Sequence, residues 1–387
     1  MSLSSSAKNL KPAFIALAFF FCSVLFLARP IFAQKVTQLP PPPPAPVYKP
    51  KPTPTPEPEV LEVVRVTSNL IVVPVSVTDA NGQPVLGLQA SDFRIEEDGR
   101  AQQIAQLGDP EQVPLDIALL VDVSSSVSER FNFELQAATS FLKQVMRPAD
   151  HATLFAIDRT PRLEQSPASV NVATTKLLSF KGATGPSPTA FYDTVTAAAR
   201  YLAANTPERS RRVMVVISDG EDNFSNSVRD SSIAAYNATK DIDGVDAQSR
   251  AKLRAANEAA LQAGHTKAQA EVRQEVQKAN TVFYSINPSG EGYKLNIIST
   301  RAQNAMQSFA TATGGAAFVP ASESDLPAIF NRIASEIRSQ YLIQYYSDNK
   351  SGASTFRRIN ASSPTRPQLR VRAREGYFPK GGAVARP

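Results

Sequence analysis

The chain has 387 residues, with 30 Pro, 1 Cys and 2 His, 42% hydrophobic and 20% charged residues, and a formal charge of +6. That length provides for two or three compact domains of about 150 residues each. A disulfide scaffold, a cysteine zinc site and a His-rich metal centre are excluded.

Residues 1–33 read as a targeting segment. Lys8 and Lys11 precede an apolar run, Ala13–Ala28, that Arg29-Pro30 ends, and Ala33 offers a small residue for cleavage before Gln34. The run is shorter than the ~20 residues of a spanning helix. A cleaved signal peptide is the first reading and an uncleaved anchor at 13–28 the second. Either makes this an exported protein: periplasmic, cell-surface or secreted. Cys22 lies behind three Phe and lacks the small residue of a lipidation site.

The charge is local. Residues 1–33 hold three basic residues and no acid, and 357–387 hold eight Lys/Arg against Glu375 alone, which leaves 34–356 slightly acidic. Residues 34–60 form a Pro-rich linker, with 11 Pro among the 19 residues from Pro40 to Pro58. Such a segment builds no core and runs as a polyproline spacer.

From 61 to 109 the pattern is β. Ile71, Val73, Val75 and Val77 alternate with more polar neighbours, Asp79–Gly82 is a turn, and Asp92–Glu97 and Gln102–Leu107 read as short strands. Residues 110–339 change to alternating strands and helices. Leu115–Val123, Thr153–Ile157, Val213–Ile217, Val282–Ile286 and Ala316–Val319 read as strands. Helical spacing marks Phe131–Val145, Phe191–Ala203, Ala302–Ala312 and Leu326–Ile337. The fold class is therefore α/β, a doubly wound, mostly parallel sheet.

A stretch at 230–280 carries Leu253, Ala256, Ala260, Gly264, Ala268, Val272, Val276 and Ala279 on one stripe. It predicts a long amphipathic helix or helical hairpin, either an elaborated crossover on the sheet or an arm for a partner. Residues 340–378 return to β as Tyr341–Tyr346, Phe356–Asn360 and Gln368–Ala373, and 379–387 form a tail. Neither β flank buries a face alone, so the two are expected to pair into one β-sandwich. Arg370, Arg372 and Arg374 alternate with apolar residues: an edge strand with its charged face in water, or a stripe for a polyanion.

The chemistry lies at strand ends. Asp122-Val123-Ser124-Ser125-Ser126 follows the first buried strand, Ser187-Pro188-Thr189-Ala190 precedes a helix, and Ser218-Asp219-Gly220 closes a third element. Carboxyl ends of strands are where doubly wound sheets bind ligands. Carboxylate and hydroxyl oxygens suit a hard cation. Each loop alone also reads as a helix cap or an ordinary turn. His151 beside Asp150 lies away from these loops, and no Gly-x-Ser-x-Gly elbow surrounds a serine.

Asp122, Ser124, Ser126, Thr189 and Asp219, in this order, resemble the metal-ion-dependent adhesion site of von Willebrand factor type A domains. The segments VTDANGQPVLGLQASDFRIEEDG and RSQYLIQYY…FRRI…VRAREGYF are similar to those of a secreted bacterial subgroup, the VWFA-related Acidobacterial domain. The resemblance covers about 61–378, with 230–280 as its departure. It implies Mg²⁺ or Mn²⁺ at the five residues, a coordination position open to a partner's carboxylate, and no enzymatic activity. Glu221 and Asp222 would add charge or shape the rim. Two further readings stand beside it: an envelope scaffold whose insertion or arginine strand makes metal-independent contacts, and a hydrolase with an unrecognised site. Nothing points to nucleic acid, and a membrane enters only through an uncleaved segment 13–28.

Overall fold

The computed structural model describes residues 70–124, 129–183, 185, 187–240, 246–290, 296–349 and 355–379. The targeting segment and the Pro-rich linker lie outside them. Among the described residues no helix is long and apolar enough to cross a membrane.

In chain order, the N-terminal flank is β1 (Leu70–Thr78), β2 (Arg94–Glu97), β3 (Arg100–Gln102) and β4 (Ile104–Gly108). The middle begins with β5 (Leu115–Asp122), α1 (Glu129–Val145), β6 (His151–Ile157), β7 (Arg162–Ala168), α2 (Val170–Leu177), α3 (Phe191–Asn205) and β8 (Arg211–Ile217). It continues through α4 (Asn226–Thr239), α5 (Ala247–Lys278), β9 (Thr281–Ile286), α6 (Ile297–Thr313), β10 (Ala316–Phe318) and α7 (Leu326–Ser339). The C-terminal flank is β11 (Tyr341–Tyr346), β12 (Arg357–Ser362), β13 (Arg370–Ala373) and β14 (Gly376–Tyr377).

The middle is the expected doubly wound sheet, in strand order β10-β9-β8-β5-β6-β7. All neighbours run parallel except the edge strand β7. β5 and β8 are apolar almost throughout because both their faces are covered. On one face Phe131, Leu135, Phe141, Phe330 and Ile333 of α1 and α7 pack on Leu119, Val121 and Val215. On the other, Phe191, Val195, Val272, Val276 and Phe309 of α3, α5 and α6 cover Leu120, Met214 and Val216. Burying each such side chain contributes about 1.5–3 kcal/mol against the entropy of ordering the chain.

The two flanks interleave. β1 lies between β11 and β13, with β4 on the far side of β11, and β2 pairs with β12. Val73, Val75 and Ile95 of the first flank share one core with Ile343, Tyr345, Ile359 and Tyr377 of the second. Residues 70–108 thus complete neither sheet without 341–377. β2 and β3 turn through Asp98 and Gly99, both at positive φ (49° and 78°), as a two-residue hairpin requires.

Of the two readings of the 230–280 stretch, the elaborated crossover holds: α4 and α5 lie between β8 and β9 in the chain, and α5 packs on the sheet. From Gly264 onward one face of α5 is buried, and Ala268, Val272 and Val276 form part of the main core. In its N-terminal half Leu253 is half-buried, while Ala256 and Ala260 are exposed. At the crossing a β-carbon on Gly264 would stand 2.1 Å from Ser231 Oγ, so only glycine lets α4 and α5 approach this closely.

The arginine face of β13 is not in water. Arg372 pairs with Glu336 of α7, and Arg374 is buried, donating to Asn280 Oδ1 and to the Val72 carbonyl at 3.1 Å. Val371 and Ala373 point into the sandwich core, so strand alternation turns the arginines toward the α/β layer. Arg370 alone of the three is exposed.

Candidate metal centre

β5 and β8 are adjacent, with Val121 opposite Ile217. From β5 the chain goes to β6 on one side, whereas β8 and β9 lie on the other. The ends of β5 and β8 therefore flank the switch point of the sheet, where the diverging crossovers leave a crevice. Asp122 is the last residue of β5, Ser218 and Asp219 follow β8, and Thr189 lies just before α3. Ser126 lies outside the described residues, as do the neighbouring 125, 127 and 128.

Hydrogen bonds tie the three loops to one another. Ser218 Oγ donates to Asp122 Oδ2 at 2.6 Å. Ala183 N–H donates to the Val123 carbonyl at 2.8 Å. Thr189 N–H donates to Asn223 Oδ1 at 2.8 Å, and its carbonyl accepts from the N–H groups of Asn223 and Phe224 at 3.1 Å each. The first and second loops are thus each bonded to the third, which brings the ends of β5 and β8 and the start of α3 to one rim.

Within that rim, Asp122 Oδ1 accepts from the N–H of Ser124 at 2.9 Å and from its hydroxyl at 2.5 Å. Asp219 Oδ1 accepts from Glu221 N–H at 3.0 Å. The hydroxyl of Thr189 has no hydrogen-bond partner among the described residues, although the residue is only 6% exposed. Gly220 has φ 77°, a left-handed turn conformation that favours glycine.

Asp222 plays another part than the expected rim charge. It is buried and accepts from Tyr192 N–H at 2.8 Å, Ser225 Oγ at 2.5 Å and the N–H groups of Phe224 and Ser225. It pins the third loop to the first turn of α3. Burial raises its pKa, and these hydrogen bonds oppose the rise.

The carboxylates crowd one another. Burial raises the Asp122 pKa, the Ser124 and Ser218 hydroxyls oppose the rise, and the Asp219 charge adds to it. Glu221 is raised by burial and then by the charges of Asp219 and Asp122. Glu134, on the buried face of α1, reaches about 7: burial dominates, Arg130 at 3.3 Å opposes it, and Asp122 and Glu323 add repulsion. Among the described residues no three Asp, Glu, His or Cys side chains converge on a point. A cation here depends on hydroxyl ligands, and Ser124, Thr189 and two repelling aspartates form a donor set that fits a hard divalent ion.

Glu134 was legible as a lone acid on the stripe Phe131, Leu135, Ala138, yet the five-residue pattern does not include it. It makes stability depend on pH. Its folded pKa lies above the unfolded value near 4.5, so between these values the folded state binds the extra proton. Its contribution is fully present below pH ~4.5 and declines as pH rises to about 7. In EDTA, Glu134→Gln is expected to flatten the urea midpoint across this window and to raise stability at pH 8 by roughly 1–3 kcal/mol. An unchanged pH profile would contradict this.

The histidines stand apart. His151 is exposed at the start of β6, the opposite end of the sheet, and His265 is buried against the Tyr192 ring, its pKa pushed down to about 4 by burial. Asp150 beside His151 is structural: it accepts from Leu115 N–H at 2.8 Å and pairs with Arg338.

No family model and no curated protein matches the chain. Similar solved structures include proximal thread matrix protein 1 from the mussel byssus, 12% identical with a TM-score of 0.37 over 61% of this chain and 49% of that one. A second structure of that mussel protein, with a zinc-occupied MIDAS motif, is 13% identical with a TM-score of 0.38 over 61% and 48%. The vWF domain of the type V pili tip protein Mfa5 from Porphyromonas gingivalis is 14% identical with a TM-score of 0.39, over 58% of this chain and 95% of that chain. This chain therefore spans about half the length of the mussel protein.

Proposed function

We propose that this chain is an exported, non-enzymatic binding module of the von Willebrand factor A type, in the VWFA-related Acidobacterial subgroup. It takes a carboxylate-bearing protein or envelope component through a divalent ion, Mg²⁺ or Mn²⁺. The observation that supports this reading is the pair of hydrogen-bonded links, Ser218 to Asp122 and Thr189 to Asn223 and Phe224, which tie the first and second loops to the third beside the switch point of the sheet. Ser126 completes the set by sequence. Neutral hydroxyl ligands leave much of the ion's positive charge uncompensated, and a bound ion would supply that charge to a partner's carboxylate. The aspartates place it, Ser218 and Ser124 orient Asp122, and Asp222 with Asn223 holds Thr189 in position.

The scaffold reading retains one specific observation. Ile233 and Tyr236 stand on α4 at 53% and 70% exposure. Deleting 230–280 would not test it, because Val272 and Val276 belong to the core. Asp219→Ala against Ile233→Ser/Tyr236→Ser separates the readings in pull-downs from envelope extract with Mg²⁺ or EDTA. Partner capture is expected to vanish in EDTA and in Asp219→Ala and to persist in the α4 variant. Capture that survives EDTA and is lost with α4 would favour the scaffold.

A further inference from the structure

A cleft of about 490 Å³ lies between the end of the central sheet and the β-sandwich, remote in the chain from the metal loops. Three guanidiniums line it, from Arg332 of α7 and from Arg372 and Arg374 in and after β13, together with the polar side chains of Gln307, Thr311 and Asn360. The one carboxylate in the lining, Glu375, is already engaged by Arg273 at 2.5 Å.

The guanidiniums are not spent on one another's partners. Arg374 is 9% exposed, no carboxylate among the described residues lies within ion-pair distance of it, and its Nε has no partner. Arg332 is exposed, stacks over the Phe318 ring at 5.4 Å and likewise has no ion pair among the described residues. Arg372 gives part of its fork to Glu336, whose Oε1 also accepts from Tyr284 Oη at 2.8 Å. Burying a cation without a paired anion is costly, and Arg374 is in that position; with the exposed Arg332 and the partly engaged fork of Arg372 it gives the cleft an excess of positive charge that suits an anion.

The backbone agrees. β10 pairs with β9 on one side alone, and its residues Ala316, Ala317 and Phe318 line the cleft, so its free edge adds main-chain donors. The carbonyl end of α6 would repel an anion, but Gly315 N–H caps the Ala310 carbonyl and Glu375 N–H caps that of Ala312. A volume of this size suits a small molecule.

We infer that this cleft binds a small polyvalent oxyanion, one carrying a phosphate, a sulfate or paired carboxylates, with Arg332, Arg372 and Arg374 as its charged ligands. Planar guanidinium forks match such groups in two-point hydrogen bonds. The site is independent of the metal loops.

Calorimetric titration of the full chain, stripped of divalent ions on a chelating resin and free of EDTA, with sulfate, inorganic phosphate or succinate against sodium chloride at equal ionic strength, tests this. Saturable binding of at least one anion is expected, weakened about tenfold in Arg332→Gln by the loss of one charged hydrogen-bond donor, and partly restored in Arg332→Lys. Arg332 is exposed, so the variant keeps its fold. Asp122→Ala is expected to bind the anion as the native chain does. Tighter binding of phosphate than succinate assigns a phosphoryl ligand, and the reverse a dicarboxylate; both support the site. No saturable binding, equal affinity in Arg332→Gln, or loss in Asp122→Ala overturns it.

Discussion

Glu97→Ala is expected to lower the stability of the full chain by about 3–5 kcal/mol, the usual cost of leaving a buried ion without its partner. Glu97 is 1% exposed in the middle of the sandwich. It accepts from Tyr345 Oη at 2.7 Å, Ser347 Oγ at 2.8 Å and Tyr377 Oη at 3.1 Å, and it pairs with Arg357 at 3.5 Å. Removing it takes the carboxylate from a buried guanidinium and the acceptor from two phenol hydroxyls at once. Glu97→Gln keeps an acceptor and should cost less than half as much. A urea titration with the two variants measures both values. A loss under 1 kcal/mol in Glu97→Ala would mean that water enters the network and that the sandwich is not closed around it.

The Glu97 network also joins the two flanks. Glu97 comes from β2, and every partner just named comes from β11–β14 or the residue after β11. The N-terminal flank brings the acid and the C-terminal flank brings the groups that satisfy it. The same logic applies to β1, whose two neighbours are both C-terminal strands. Pairing of the flanks could be anticipated because neither has enough apolar alternation to close a core. The identity of the pairs could not, since these strands lie on opposite sides of the inserted α/β layer in the chain.

Other features were legible to different degrees. β5, β8 and β9 stand out in the sequence because both faces are buried, leaving runs of apolar residues. β7 and α2 are invisible by the same test: β7 is an edge strand with Arg162, Leu163 and Ser166 exposed, and α2 has only eight residues. Periodicity found the stripe of α5, but it could not tell that only the part from Gly264 onward meets the sheet. Arg372 and Arg374 misled because strand alternation predicts which residues share a face, not whether that face meets water or another layer.

For the site, residue type and order indicated Asp122, Ser124, Thr189 and Asp219, because strand ends at a switch point are fixed by topology. The groups that position them carry weaker signals. Ser218 precedes Asp219 as an ordinary polar residue, and Asp222 reads as a rim acid until its four hydrogen bonds are seen. Glu134 belongs to a helical stripe whose other members are apolar, and its effect reaches Asp122 through charge rather than contact.

A divalent ion held by these loops would separate the native chain from its Asp122 variant. In EDTA, Asp122→Ala loses hydrogen bonds from Ser124 and Ser218 but also sheds a buried charge repelled by Asp219, so its stability should lie within about 1 kcal/mol of the native chain. With Mg²⁺ the two should part. An ion at a hundredfold excess over its Kd stabilises the state that binds it by about 2.7 kcal/mol. At about 2–4 °C per kcal/mol, the native Tm should rise by roughly 5–10 °C. Thermal unfolding of native and Asp122→Ala chains in EDTA, Mg²⁺ and Mn²⁺ is the most direct measurement. A rise with either ion in the native chain, absent in the variant, is the predicted result; a native Tm that neither ion moves would contradict the metal site itself.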